Sequence, residues 1–215
     1  MCTRYLVELS PELRPIIEAA RRSPLAARMV HHLGRPVVGE GEVRPTDIAA
    51  VIAPNNKGMR HVFPMVWGFT QPHIENTRRS QPLVNCRVET AAAKPLWKES
   101  WQRRRCIIPA SYYYEWEHFT SPDGRSKTGD KYAIQPVGST VAWLAGLYRI
   151  EEGYPHFTVL TREPGELLSK IHNRMPVILP QAVLEDWINP ESSPETVKAI
   201  AAHSLTGMIL ERCES

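Results

Sequence analysis

The chain has 215 residues, 42% of them hydrophobic and 23% charged, with a formal net charge of +3. Such a chain can bury a substantial core, which excludes a disordered or low-complexity polymer. Its 4 cysteines are scattered with no C-x-x-C pair, no apolar run reaches the ~18 residues of a membrane span, and no charged-then-apolar signal pattern opens the sequence. Those absences argue against a zinc ribbon, a disulfide framework, a membrane helix and a secretion signal. The expectation is a cytoplasmic, nucleoid-associated protein that needs no metal and no cofactor. Arginine supplies 19 of the 26 basic residues. It is the side chain that forks onto phosphate, although a GC-rich genome also enriches it.

The elements follow in chain order. Residues 1–10 read MCTRYLVELS and place a cysteine second. Removal of Met1 would leave Cys2 with a free α-amine and a thiol, which titrate near about 8 and about 8.5. That 1,2-aminothiol condenses with an aldehyde and closes a five-membered thiazolidine, which no internal cysteine can do. The plain alternative is the second residue of a frayed or buried terminus. Pro11 to Ser23 and Pro24 to His32 are predicted as two helices broken at Ser23-Pro24. Asp47 to Ala53, His61 to Phe69 and Leu83 to Glu89 read as strands, the last two joined by a polar connector from Thr70 to Pro82. Ala91 to Arg104 has helical spacing, with Trp97 and Trp101 on one face.

Cys106 to Glu117 is β-rich and aromatic. Ser121 to Asp130 is predicted as an exposed loop. Lys131 to Val137, Thr140 to Ile150 and His156 to Thr161 follow as three strands. Gly165 to His172 is a short helix and Val177 to Leu179 a strand. From Gln181 onward the chain reads as helical, with breaks at Asn189-Pro190 and Ser193-Pro194. No βαβ rhythm is present. The pattern predicts an α+β fold: a mixed, largely antiparallel β-sheet or open barrel with flanking helices.

Several segments can carry chemistry. In Leu83 to Thr90, strand parity puts Asn85 and Arg87 on one face, where an amide and a guanidinium suit a phosphate; a solvated strand face is the plain reading. In Arg105 to Trp116, Glu115 sits among Tyr112, Tyr113, Tyr114 and Trp116. Parity places Tyr113 and Glu115 on one face, and aromatic walls would desolvate the carboxylate and raise its pKa toward the range useful for proton transfer; an exposed glutamate between core aromatics is the plain reading. His172 follows a short helix, where a protonated ring gains from the helix dipole, or simply caps carbonyls. Arg174 is a second phosphate candidate. Trp67, beside Gly68, is either a stacking platform for bases or a core residue. Together these groups suit a reactive aldehyde embedded in a nucleic-acid backbone, namely an abasic deoxyribose. An N-terminal-nucleophile amidohydrolase also uses a processed cysteine, and a non-catalytic single-strand-binding module would use the same basic groups.

The segments MCTRY at 1–5, VWGF at 66–69, VNCRVET at 84–90, RCIIPASYYYEW at 105–116, AGLY at 145–148 and HNRMPVIL at 172–179 resemble, in the same order, those of the SRAP family, the SOS response-associated peptidases also called abasic-site processing proteins. The resemblance implies a single SRAP domain over 1–215, acting as a monomer on single-stranded DNA that contains abasic sites. It implies that Cys2 is the nucleophile of a reversible thiazolidine crosslink, formed after self-removal of Met1. Asn85 would hold the sugar and nearby phosphate, Glu115 would open the sugar and assist ring closure, and His172 would move a proton at the sugar hydroxyl. Arg4, Arg87 and Arg174 match phosphate-contacting arginines, and Trp67 lies in the segment that supports the DNA. The chain departs from the family pattern at Thr3, where glycine is usual, and at Ser111-Tyr112, where Asp-Gly is common. It departs again at Glu42-Val43-Arg44-Pro45, where an Asn-x-x-Pro element is common.

Overall fold

A computed structural model describes residues 2–71, 81–121 and 123–213. In chain order the elements are β1 (Tyr5–Val7), α1 (Leu13–Arg22), α2 (Pro24–Leu33), β2 (Gly41–Val43), β3 (Ile48–Pro54), β4 (Arg60–Trp67) and β5 (Asn85–Arg87). Then come α3 (Val88–Ala91), α4 (Pro95–Arg103), β6 (Arg105–Ala110), β7 (Tyr112–Thr120), β8 (Ser126–Pro136), β9 (Ala142–Glu151) and β10 (Tyr154–Arg162). The chain continues through α5 (Glu166–Ser169), β11 (Met175–Pro176), a 3₁₀ turn at Gln181–Val183, α6 (Leu184–Ile188), α7 (Pro194–Ala202) and β12 (Met208–Arg212).

The strands form two sheets. One has five strands in the order β12-β8-β7-β1-β2, all antiparallel. The other runs β11-β10-β4-β3-β6-β9, with β5 added on β10. Because β9 pairs with both β6 and β10, the strands β10, β4, β3, β6 and β9 close into a ring. The architecture is therefore the expected α+β one with mixed, largely antiparallel sheets, and the barrel's ring is closed by the β9–β10 pairing. Inside it, β3 (IAAVIAP) is buried at every residue, the continuous apolar run of a strand covered on both faces. Gly146 on β9 permits this tightness: a Cβ there would lie 2.8 Å from the Thr158 carbonyl oxygen and would also strike Ile108.

The helices cover the ring as their sequences dictate. Leu13, Ile17 and Ala20 make the buried stripe of α1, which packs on β3 and β4. Ser23 serves both helices at the predicted break. Its backbone N–H donates to the Ala20 carbonyl at 3.2 Å, and its hydroxyl accepts the Ala26 N–H at 3.1 Å to cap α2. Pro24 occupies the first turn, where its missing N–H costs nothing, and Gly34 ends the helix at φ 68°. Arg105 is buried and donates to the carbonyls of Trp187 at 2.7 Å, Trp101 at 2.8 Å and Gln102 at 2.7 Å, pinning α4 and α6 to β6.

Several expectations change. The strand predicted over Leu83 to Glu89 shrinks to β5, because Val88 starts a helix. The helix predicted over Ala91 to Arg104 begins at Pro95, after the separate turn of α3. The loop predicted over Ser121 to Asp130 narrows, since β8 already starts at Ser126 and pairs with the far end of β7. The chain's last described segment is not helical but β12, which pairs with β8 from Met208↔Pro136 to Arg212↔Tyr132. The strand predicted over Val177 to Leu179 is reduced to an isolated bridge from Ile178 to Leu144, just after β11. Part of the polar connector, residues 72–80, lies outside the described residues.

Candidate functional site

Short β1 places the chain's start. It lies between β2 and β7, with Tyr5 opposite Val43 on one side and Tyr113 on the other. The Tyr114 N–H donates to the Arg4 carbonyl at 3.0 Å, so residues 2–4 run alongside β7. Cys2 is fully buried there, its Sγ 3.7 Å from the Arg4 carbonyl oxygen. From the other sheet, Asn85 on β5 donates through Nδ2 to the Cys2 carbonyl at 2.8 Å. The amide thus ties the N-terminal segment to the barrel, across 83 residues of sequence.

Glu115 projects from the same face of β7 as Tyr113, and both are buried. Burial pushes the Glu115 carboxyl up to about 7. The Cys2 thiol is pushed up in turn, first by burial and then by the Glu115 charge, so at neutral pH the sulfur is S–H. These shifts put Cys2 and Glu115 within electrostatic reach of each other. Around them sit polar atoms with no hydrogen-bond partner among the described residues: the hydroxyls of Tyr5 and Tyr113 and the Oδ1 of Asn85. Three buried orphan groups beside one thiol are unusual for a structural core, where such groups are paired.

His172 reaches the site from the turn after α5. The His118 N–H donates to the Ile171 carbonyl at 3.2 Å, and the two imidazoles meet edge-on at 5.3 Å. A register shift in the β7–β8 pairing between Trp116 and His118 precedes that contact. The Arg174 N–H approaches His172 Nδ1 at 3.0 Å, and the same ring nitrogen lies 3.3 Å from the Arg174 carbonyl oxygen. Burial lowers this ring to about 4, so it is neutral at pH 7. Desolvation therefore outweighs the helix-end effect read from the sequence.

The arginines divide. Arg87 stands exposed two residues from Asn85 on β5. Arg4 pairs with Glu42 at 3.1 Å, and its guanidinium lies 5.3 Å from the centre of the Trp116 ring. Arg174 is buried and committed: it grips Glu89 with two bonds of 2.9 and 2.8 Å and donates to the Thr161 carbonyl at 2.7 Å. Its guanidinium fixes the segment that carries His172. Trp67 is also committed. It is fully buried, its Nε1 donates to the Val84 carbonyl at 3.0 Å, and its ring stacks on Phe157 and leans on Tyr5. It braces the site from behind and offers no face to a base.

A different aromatic stands at the surface. Trp116 is half-buried on the opposite face of β7, with Lys131 Nζ 5.4 Å from its centre as well as Arg4. Lys131 also caps the Tyr114 ring at 3.6 Å. Glu42 gathers Arg4, Arg44 and Lys131 at 3.1, 2.6 and 3.4 Å, so one carboxylate faces three cations. Residue spacing gave no sign of Lys131 or Glu42, because both reach the rim from other strands. The alternation of β7 did contain Trp116.

The molecule also resembles known proteins. In fold it matches a crystal structure of a protein from Bacteroides thetaiotaomicron, with a TM-score of 0.71 at 20% identity over 100% of this chain and 93% of that one. In sequence it is 32% identical over 174 residues to abasic site processing protein YoaM of Bacillus subtilis, covering 75% of this chain and 74% of that protein. It is 27% identical over 172 residues to abasic site processing protein YedK of Escherichia coli, covering 77% and 71%. The family model for SOS response associated peptidase (SRAP) matches residues 1–212. The chain belongs to the SRAP family.

Proposed function

We propose that this chain, as a single SRAP domain, processes abasic sites in single-stranded DNA by capturing the sugar aldehyde on Cys2 once Met1 has been removed. The observation that carries the reading is the meeting of a buried thiol and a carboxyl held at about 7 at the chain's own start. The relatives' names, abasic site processing proteins, support it. So do the orphan polar groups around Cys2, which a sugar can pair.

Until Met1 is cut, the Cys2 nitrogen is an amide and not a nucleophile. Once freed, the amine attacks the open-chain aldehyde carbon and water leaves, giving an imine. The thiol then adds to the imine carbon and closes the thiazolidine. A carboxyl near 7 is about half ionised at neutral pH, so Glu115 can protonate the departing hydroxyl and then accept the thiol proton. Neutral His172, held through Nδ1 by the Arg174 backbone, moves a proton at the sugar oxygen and keeps the ring open. Asn85 offers Oδ1 to the sugar while its Nδ2 holds the Cys2 carbonyl. Arg87, Arg4 and Lys131 take phosphates at the rim, and Trp116 stacks a base. Arg174 acts through its grip on the His172 segment.

A denaturing gel of the Met1-free protein with an abasic single-stranded oligonucleotide tests the reading. It requires a heat-stable shifted band that intact single strands do not give. Equal binding of intact and abasic strands with no shifted band would instead make this a passive binding module. Release of an amine from amide substrates would make it an amidohydrolase.

A further inference from the structure

Tyr113 is a residue the reaction above leaves unused. It is fully buried on β7, directly opposite Tyr5 of β1 and on the same strand face as Glu115 two residues on. Its hydroxyl has no hydrogen-bond partner among the described residues. A phenol that leaves water without a partner is destabilising, and a phenylalanine would fill the same space without that cost. The hydroxyl therefore serves something other than packing. Tyr5 has an orphan hydroxyl too, but the charges that act on it are those of Cys2, Asp47 and Cys106. After burial, the charges that act on the Tyr113 hydroxyl are those of Cys2 and Glu115, the two reacting groups.

We propose that Tyr113 donates a hydrogen bond to the Cys2 sulfur as it passes from thiol to thiolate during ring closure. The assignment rests on the aldehyde-capture reading. In that step the sulfur–carbon bond forms and the C=N π pair moves onto nitrogen. The thiol proton passes to the Glu115 carboxylate, and nitrogen receives one proton from the same carboxyl. Nothing is oxidised or reduced, and Tyr113 keeps its proton throughout. A donor is needed at this point because the sulfur is buried and resists becoming an anion. A fixed dipole aimed at a developing charge in a dry site is an effective remedy.

The test is Tyr113→Phe, beside Tyr112→Phe on the opposite face of the same strand. Each Met1-free protein is mixed with abasic single-stranded DNA and quenched over time with cyanoborohydride. Intact mass then separates the reduced imine, heavier by two hydrogens, from the thiazolidine. Tyr113→Phe is expected to close the ring about 10–100-fold more slowly. The imine should accumulate, and the pH profile of closure should move upward. Its melting temperature should equal or exceed that of the parent, because no hydrogen bond is lost. Tyr112→Phe is expected to behave as the parent. Unchanged closure in Tyr113→Phe, an equal slowing in both variants, or slowing accompanied by a lower melting temperature overturns the assignment while leaving aldehyde capture standing. If the parent protein forms neither imine nor thiazolidine, aldehyde capture itself fails and the assignment with it.

Discussion

The two faces of β7 carry opposite kinds of residue environment. One face presents Tyr113 and Glu115 to Cys2, in a buried region with orphan hydroxyls and a carboxyl lifted to about 7. The other presents Tyr114 beside Lys131, and Trp116 beside Arg4 and Lys131. A single alternating strand thus separates bond-making from holding. Low dielectric tunes proton affinity on the first face, while aromatic planes and cations suit a flexible polyanion on the second.

The comparison can be broken by variants that cross it. The largest effect is expected for Glu115→Gln, which keeps the shape and removes the titrating group. Crosslink formation should slow by about 10²–10⁴-fold, with binding of abasic strands unchanged. The parent rate should peak near pH 7, since Glu115 must act in both protonation states, and the variant should lose that peak. A stopped-time gel series across pH checks both points. Next comes Trp116→Ala combined with Lys131→Ala. It should weaken single-strand binding by about 10–100-fold and flatten its salt dependence, with the crosslinking rate at saturating DNA preserved. Loss of saturated rate there would erase the distinction between the faces.

A smaller effect is expected in stability. Glu115 has its pKa raised on folding, from about 4.3 in an unfolded chain to about 7. Its contribution is therefore whole below about pH 4.3 and is lost as pH rises through 7. His172 works in the other direction: its pKa falls from about 6.5 to about 4, so its contribution is present above about 6.5 and is lost as pH falls through 4. Melting temperatures should show Glu115→Gln gaining on the parent between about pH 4 and 7, and His172→Gln gaining as pH drops through the same window.

The parts of this molecule legible in the sequence are those with enough residues to show a period. The nine-residue β7 carries its alternation openly, and parity alone paired Tyr113 with Glu115. The helix break at Ser23-Pro24 was equally plain, because cap and proline chemistry is local. Three-residue strands such as β1 and β2 are too short to display a period, yet β1 is what sets Cys2 beside β7. The first half of β8, SKTGD, reads as loop because its residues are polar and its partner lies across a turn. The link from Asn85 to Cys2 spans the two sheets, and no local pattern announces it. Trp67 shows the reverse limit: its motif marks the site's neighbourhood, but only the packing of Tyr5 and Phe157 on its faces reveals it as a brace.

The central claim is that Cys2, at a processed terminus, is the atom donor of the covalent link. Intact mass of the purified protein, before and after abasic single-stranded DNA, tests it most directly. The account predicts a parent protein lacking Met1 that gains the mass of the oligonucleotide less one water, and a Cys2→Ala protein that forms no such stable adduct. A heat-stable adduct of the same mass in Cys2→Ala, corrected for the lost sulfur, would contradict it.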